Sequence, residues 1–148
     1  MVRRRGRQRE AGSTVAVVGD GAVGLLAILA ASQMGAERII AMSRHPARQT
    51  LAREFGATDV VTERGEEGAA RIHEITKGVG ADSVLECVGS QQSMLQAIGA
   101  ARRGGYVIYV GMPHGGTFDG GNLFFSHVHL DDGPAPVRCF LPKLIDVV

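Results

Sequence analysis

From Thr14 onward the chain switches repeatedly between short apolar runs and longer stretches of helical character. Thr14-Val15-Ala16-Val17-Val18 shows no polar alternation, and an unbroken run of this kind fits a parallel strand covered on both faces. Similar runs predict strands over 38–42, 59–61, 83–88, 106–110 and 123–130. The stretch over about 22–34 reads as a helix, small and apolar on nearly every side, that stops at Gly35. A second helix starts with Pro46 in its first turn and ends before Gly56, where a left-handed cap belongs. A polar third helix opens with Glu66 and Glu67 and carries Lys77 in its last turn before Gly78, an order that suits the helix dipole. Ser90 is placed to cap a fourth helix reaching about Ala101. Beyond Pro134 and Pro136, Val137, Leu141, Leu144 and Val148 share one helical face with no stop signal, so a truncated C-terminus is expected.

Strands alternating with helices at this spacing are βαβ units, which predicts an α/β fold with a doubly wound parallel sheet in three layers, α/β/α. The length of 148 residues fits one domain. No apolar run reaches the ~18 residues that would span a bilayer, so no membrane partner is expected. Two cysteines, Cys87 and Cys139, are too few for a disulfide scaffold and point to a reducing cytoplasm. Arg3, Arg4, Arg5, Arg7 and Arg9 stand against Glu10 alone, which leaves the rest of the chain net acidic although the whole is +1. A body of that sign does not suggest nucleic-acid binding. Residues 1–11 are expected to form a disordered basic leader, with the folded domain over 12–148.

Glycine is abundant, 21 residues, and its placement changes the picture. Directly after the first strand comes Gly19-Asp20-Gly21-Ala22-Val23-Gly24, a GxGxxG that closes a strand and opens a helix. That is the fingerprint of the Rossmann NAD(P)-binding fold. Gly19 allows the tight turn, Gly21 lets backbone approach a pyrophosphate, and Gly24 lets helix and strand pack closely. Amide groups of the first helical turn, with the helix dipole, then attract the phosphates. Asp20 is awkward in such a loop, and its side chain is expected to point away from the ligand. In NAD-binding relatives of this fold an acid ends the second strand and bonds the adenosine ribose. Here Ser43 stands at that place, followed by Arg44 and, one helical turn on, Arg48. A hydroxyl and two guanidiniums suit a 2′-phosphate, so NADP(H) is expected in preference to NAD(H).

The segments GSTVAVVGDGAVG, MGAERIIAMS, FGATDVV, GADSVLECVG, RGGYVIYVG and GPAPV follow one another from Gly12 to Val137. With them the chain resembles the coenzyme-binding domain of the zinc-containing alcohol dehydrogenases, in the medium-chain dehydrogenase/reductase superfamily. The resemblance implies Gly21, Ala22 and Val23 at the pyrophosphate and Ser43, Arg44 and Arg48 at the adenosine ribose. It implies Cys87, Val88 and Gly89 beside the nicotinamide, with Val110, Gly111 and Met112 offering backbone groups to the carboxamide. It implies hydride transfer between an alcohol and NADP⁺ in a complete enzyme whose catalytic zinc sits in a separate domain, so this chain alone is expected to be inactive and to hold no metal. It further implies a homo-oligomer joined through the 123–130 edge strand.

Other polar residues are read as structural. His127 and His129 would share one face of an edge strand, and His114 would be solvated in the Gly-rich loop. Cys87 would be a space-filling thiol, Glu86 a hydrogen-bonded structural acid, and Asp131-Asp132 a turn. Two alternatives stay open: the cofactor domain of a zinc-free quinone or enoyl reductase, and a stand-alone dinucleotide-sensing module. A methyltransferase would want an acid at Ser43.

Overall fold

The computed structural model describes residues 12–112, 114–134 and 136–145. Six strands form one parallel sheet: β1 (Thr14–Val18), β2 (Arg38–Met42), β3 (Asp59–Val61), β4 (Ala81–Glu86), β5 (Ala101–Tyr109) and β6 (His129–Asp132). Their spatial order is β3-β2-β1-β4-β5-β6. The chain winds outward from β1 to β3, then returns to place β4 on the other side of β1. That reversal leaves a crevice at the carboxyl ends of β1 and β4, where open α/β sheets bind ligands.

Both faces of the sheet are covered, which explains the unbroken apolar runs. Val15, Val17, Ile39 and Ala41 pack against Ile28 and Ala31 of α1 (Ala22–Gln33) and Ala52 of α2 (Pro46–Glu54). The alternate residues Ala16, Val18, Ile40 and Met42 face Ala69 and Ile72 of α3 (Gly65–Ile75) and Met94, Ala97 and Ala100 of α4 (Gln91–Ala100). Local signals set the ends. Pro46 begins α2, Gly35 and Gly56 take positive φ after α1 and α2, and Ser90 forms a reciprocal capping box with Ser93.

The bounds of three elements differ from expectation. Lys77 lies beyond α3 in the left-handed region at φ 57°, so His73 is the basic residue of the last turn. The fourth strand spans Ala81–Glu86 rather than 83–88, which frees Cys87 and Val88 for the loop. The fifth begins at Ala101, directly out of α4, with a register irregularity opposite 81–83. Gly105 sits in that irregularity, where a Cβ would stand 2.9 Å from the carbonyl oxygen of Arg102.

The largest correction concerns 123–130. Asp119 accepts from the amides of Gly121 (2.8 Å) and Asn122 (3.4 Å) and starts a short helix α5 (Gly120–Ser126), which His127 closes at φ 54°. The edge strand is therefore His129–Asp132, and Phe124 and Phe125 belong to a helix. His127 and His129 do not share a strand face. Asp131 and Asp132 are strand residues paired with Ile108 and Tyr109, not a turn. A last helix α6 (Val137–Ile145) follows, with Pro142 inside it. Residues 1–11 and Val148 lie outside the described residues. No helix among the described residues is long and apolar enough to cross a membrane.

Ile72 is wholly buried in the α3–α4 layer. Ile72→Ala should destabilise the domain by about 3 kcal/mol, read as a lowered urea midpoint with an unchanged slope.

Candidate functional site

Three glycines of the loop between β1 and α1 serve different needs. Gly19 has φ +115°, and a Cβ on it would come within 2.9 Å of Val88 Cγ2. A side chain on Gly24 would run into the carbonyl of Gly19, so only glycine lets α1 start this close to the strand. Gly21 is different. Its φ of −78° suits any residue, and a Cβ there would meet nothing within 4 Å. Neither backbone nor packing calls for glycine at 21; the space in front of it is open. Gly21 is also the N-cap of α1, and no side chain caps the helix and no acid stands in its first turn. The first intrahelical bond, Leu25 N–H to Gly21 C=O at 3.0 Å, leaves the amides of Ala22, Val23 and Gly24 directed out of the helix end.

At the neighbouring corner stands Asp20, the acid expected to point away from a pyrophosphate at the glycine loop. Its carboxylate reaches across to the end of β2. Ser43 Oγ donates to Oδ2 at 2.8 Å, His45 Nδ1 lies 2.6 Å from the same oxygen, and Arg48 Nη1 donates to Oδ1 at 3.0 Å. Burial alone would raise the Asp20 pKa, but the bonds from His45, Ser43 and Arg48 outweigh it and bring it from 3.8 to about 2. Ser43 is 4 % exposed and held at both backbone ends, by Val61 C=O (2.9 Å) and the side-chain amide of Gln49 (2.8 Å). Arg44 is exposed and enters no ion pair among the described residues; the same holds for Arg64 after β3. A cleft of about 430 Å³ joins these groups to Gly19, Gly21, Cys87 and Val88.

The far end of the cleft depends on Glu86. This wholly buried carboxylate accepts from the amides of Val88 (2.8 Å) and Gly89 (2.9 and 3.1 Å). Its backbone carbonyl accepts from Val110 (2.8 Å) and Gly111 (2.9 Å). The loops after β4 and β5 are thereby drawn together, and Gly89, at φ +86°, has no room for a side chain against the carbonyl of Met112. Val88, Val110 and Met112 form an exposed apolar ledge there. Burial, and then the charge of Glu86, push the Cys87 thiol up to about 12, so it is protonated and no nucleophile.

Gly19, Gly21, Ser43, Arg44, Arg48, Cys87 and Val88 thus line one cleft. Gly89, Val110, Gly111 and Met112 do not line it, but Gly89, Gly111 and Met112 pack together beside Val88 and Glu86 holds Val110 and Gly111 next to them. Sequence reasoning missed His45 and Arg64, which carry no local motif, and did not foresee the partners of Asp20, whose charge inside a glycine loop was the available signal. Among the described residues no three of His, Cys, Asp or Glu converge as a metal site. His129 instead stacks on Tyr106 with ring centroids 4.7 Å apart, and His114 is exposed.

A family model described as zinc-binding dehydrogenase matches residues 22–132. The chain belongs to the zinc-binding dehydrogenase family. Among curated relatives of this dehydrogenase domain, sorbitol dehydrogenase of Bacillus subtilis is 37% identical over 69% of the chain and 29% of that protein. Zinc-type alcohol dehydrogenase B of Aspergillus flavus is 31% identical over 91% of the chain and 32% of its own length. Among solved structures, alcohol dehydrogenase TADH from Thermus sp. ATN1 superposes with a TM-score of 0.82 at 30% identity, covering 96% of this chain and 41% of that one. A zinc-binding dehydrogenase from Sinorhizobium meliloti 1021 bound to NADP superposes with a TM-score of 0.78 at 26% identity, covering 93% and 42%. The dehydrogenase chain described here therefore spans about a third of the length of those curated relatives.

The depressed pKa of Asp20 gives a pH signature. Its network stabilises the fold above the ordinary carboxylate value of 3.8, and that contribution is lost as pH falls toward about 2. Asp20→Asn should remove this slope and cost ~1 kcal/mol near neutral pH, a small figure because its cationic partners are half-exposed and screened. Urea unfolding of both proteins from pH ~6 down to ~2.5 checks it, since the difference between them should shrink over the acid range.

Proposed function

We propose that this chain is the NADP(H)-binding domain of a zinc-type alcohol dehydrogenase. Gly21 carries the reading: a position where any side chain would fit the protein, kept empty in front of three helix-end amides, suits a ligand that comes to the backbone itself. A pyrophosphate has the charge and the acceptors for that place. The adenosine end then meets Ser43, Arg44 and Arg48, and the NADP of the Sinorhizobium meliloti relative supports the choice of the phosphorylated cofactor. The nicotinamide end meets Cys87, Val88 and Gly89, with Val110, Gly111 and Met112 opposite.

The dinucleotide, when bound, supplies the hydride acceptor or donor for the alcohol–carbonyl pair. This chain's share is to fix the phosphates with amides and cations and to hold the ring against an apolar ledge. The zinc ligands and alcohol pocket are assigned to a separate catalytic domain, so this chain alone should show no turnover. Cys87 and Cys139 are free thiols, in keeping with action in the cytoplasm. The exposed β6 edge, His129–Asp132, replaces 123–130 as the strand through which two copies would pair.

The chain has no tryptophan, so binding is read from the fluorescence of the reduced nicotinamide itself. NADPH should bind more tightly than NADH; parity or the reverse order would defeat the NADP(H) preference. Gly21→Val should abolish binding of both while leaving the melting temperature in place. Arg44→Ala should weaken NADPH by roughly 10- to 100-fold, the worth of one charge-assisted contact, and leave NADH within about twofold.

A further inference from the structure

We propose that Asp20 sets the margin of cofactor selectivity by occupying the 2′-phosphate seat in the free protein. The inference rests on the dinucleotide reading above and adds a competitor within the chain. The two carboxylate oxygens of Asp20 engage Ser43, His45 and Arg48 together. Ser43 and Arg48 are two of the three groups assigned to the phosphate. A phosphate entering this corner has to take them over from Asp20, and it does so beside an anion.

The exchange is feasible because cations remain. Arg44 and Arg64 line the same cleft and enter no ion pair among the described residues. The charged groups at the corner are then Arg44, His45, Arg48 and Arg64 against Asp20 and Glu63. Phosphate can recruit the two unpaired guanidiniums first, while Ser43 and Arg48 turn from carboxylate to phosphate oxygens. The adenosine ribose of NADH brings hydroxyls and no charge, so it has nothing to exchange and meets no repulsion from Asp20. Asp20 therefore weakens NADPH selectively and narrows a preference that the cations alone would make wider. A partly buried aspartate held by its donors also keeps the corner of the free protein ordered, since its oxygens satisfy Ser43 and Arg48 before any ligand arrives.

Titration of the full chain with NADPH and NADH, wild type beside Asp20→Asn, tests the idea. Asp20→Asn should tighten NADPH about tenfold, the scale of removing one like charge near a protein surface, and change NADH by less than about twofold. Adding Arg48→Ala to Asp20→Asn should erase part of the gain, because the guanidinium freed from Asp20 supplies some of it and relief of like-charge repulsion the rest. If Asp20→Asn does not fold, Asp20→Ser removes the same charge and is read in the same way. An unmoved NADPH/NADH ratio overturns the proposal, as does weaker NADPH binding, which would make Asp20 a builder of the seat. A tenfold loss of NADH would overturn it too, by marking Asp20 as the acceptor for the ribose hydroxyls. Wild type binding neither cofactor would defeat the dinucleotide reading and this inference together; binding of both with no response to Asp20→Asn sinks only this one.

Discussion

The first turn of α1 lies almost against the end of β1, and the contact between Gly24 and the carbonyl of Gly19 is what permits it. Any side chain at 24 would push the helix outward, and with it the amides that end at the sheet's reversal point. The apolar layer behind, with Ile28 and Ala31 packed on Val15 and Val17, holds the helix in that place once the glycines allow it. Site and core are in this sense one construction. The small, uniformly apolar face of α1 is needed for the approach, and the approach is what brings an uncapped helix end to the cleft.

Regular repetition made most of this legible in the sequence. β1, β2 and β3 emerge at the residues where β-branched runs begin and end, because parallel strands covered on both faces need apolar side chains at every position. Pro46, Gly56 and Ser90 mark helix ends by mechanisms that act within a few residues. Elsewhere the outcome turned on contacts that an apolar run does not report. Leu123-Phe124-Phe125 reads as a strand by composition, yet Asp119 caps a helix turn through it and the strand forms later, at His129. Asp20 was judged by its nearest expected neighbour, the pyrophosphate. Its partners come from β2 and α2, 23 to 28 positions away, which no local pattern reports.

The corner at the end of β2 thus combines two chemistries that are often kept apart. A serine and guanidiniums stand where a carboxylate is usual, and a carboxylate from the glycine loop has come to meet them. Basic groups outnumber acids there, and only some of them are paired. Arg44 and Arg64 remain outward while Arg48 and His45 are engaged. Such a corner can stay ordered without a ligand and still respond to one.

Glu86 has a mechanical consequence at the opposite end. One residue clamps two loops, with its carboxylate on the turn after β4 and its carbonyl on the turn after β5. Those two walls cannot part unless the Glu86 carbonyl gives up the amides of Val110 and Gly111, so they behave as a single jaw. In the reading proposed above, the nicotinamide ring rests on the ledge formed by Val88, Val110 and Met112, and this jaw is the fixed wall behind it.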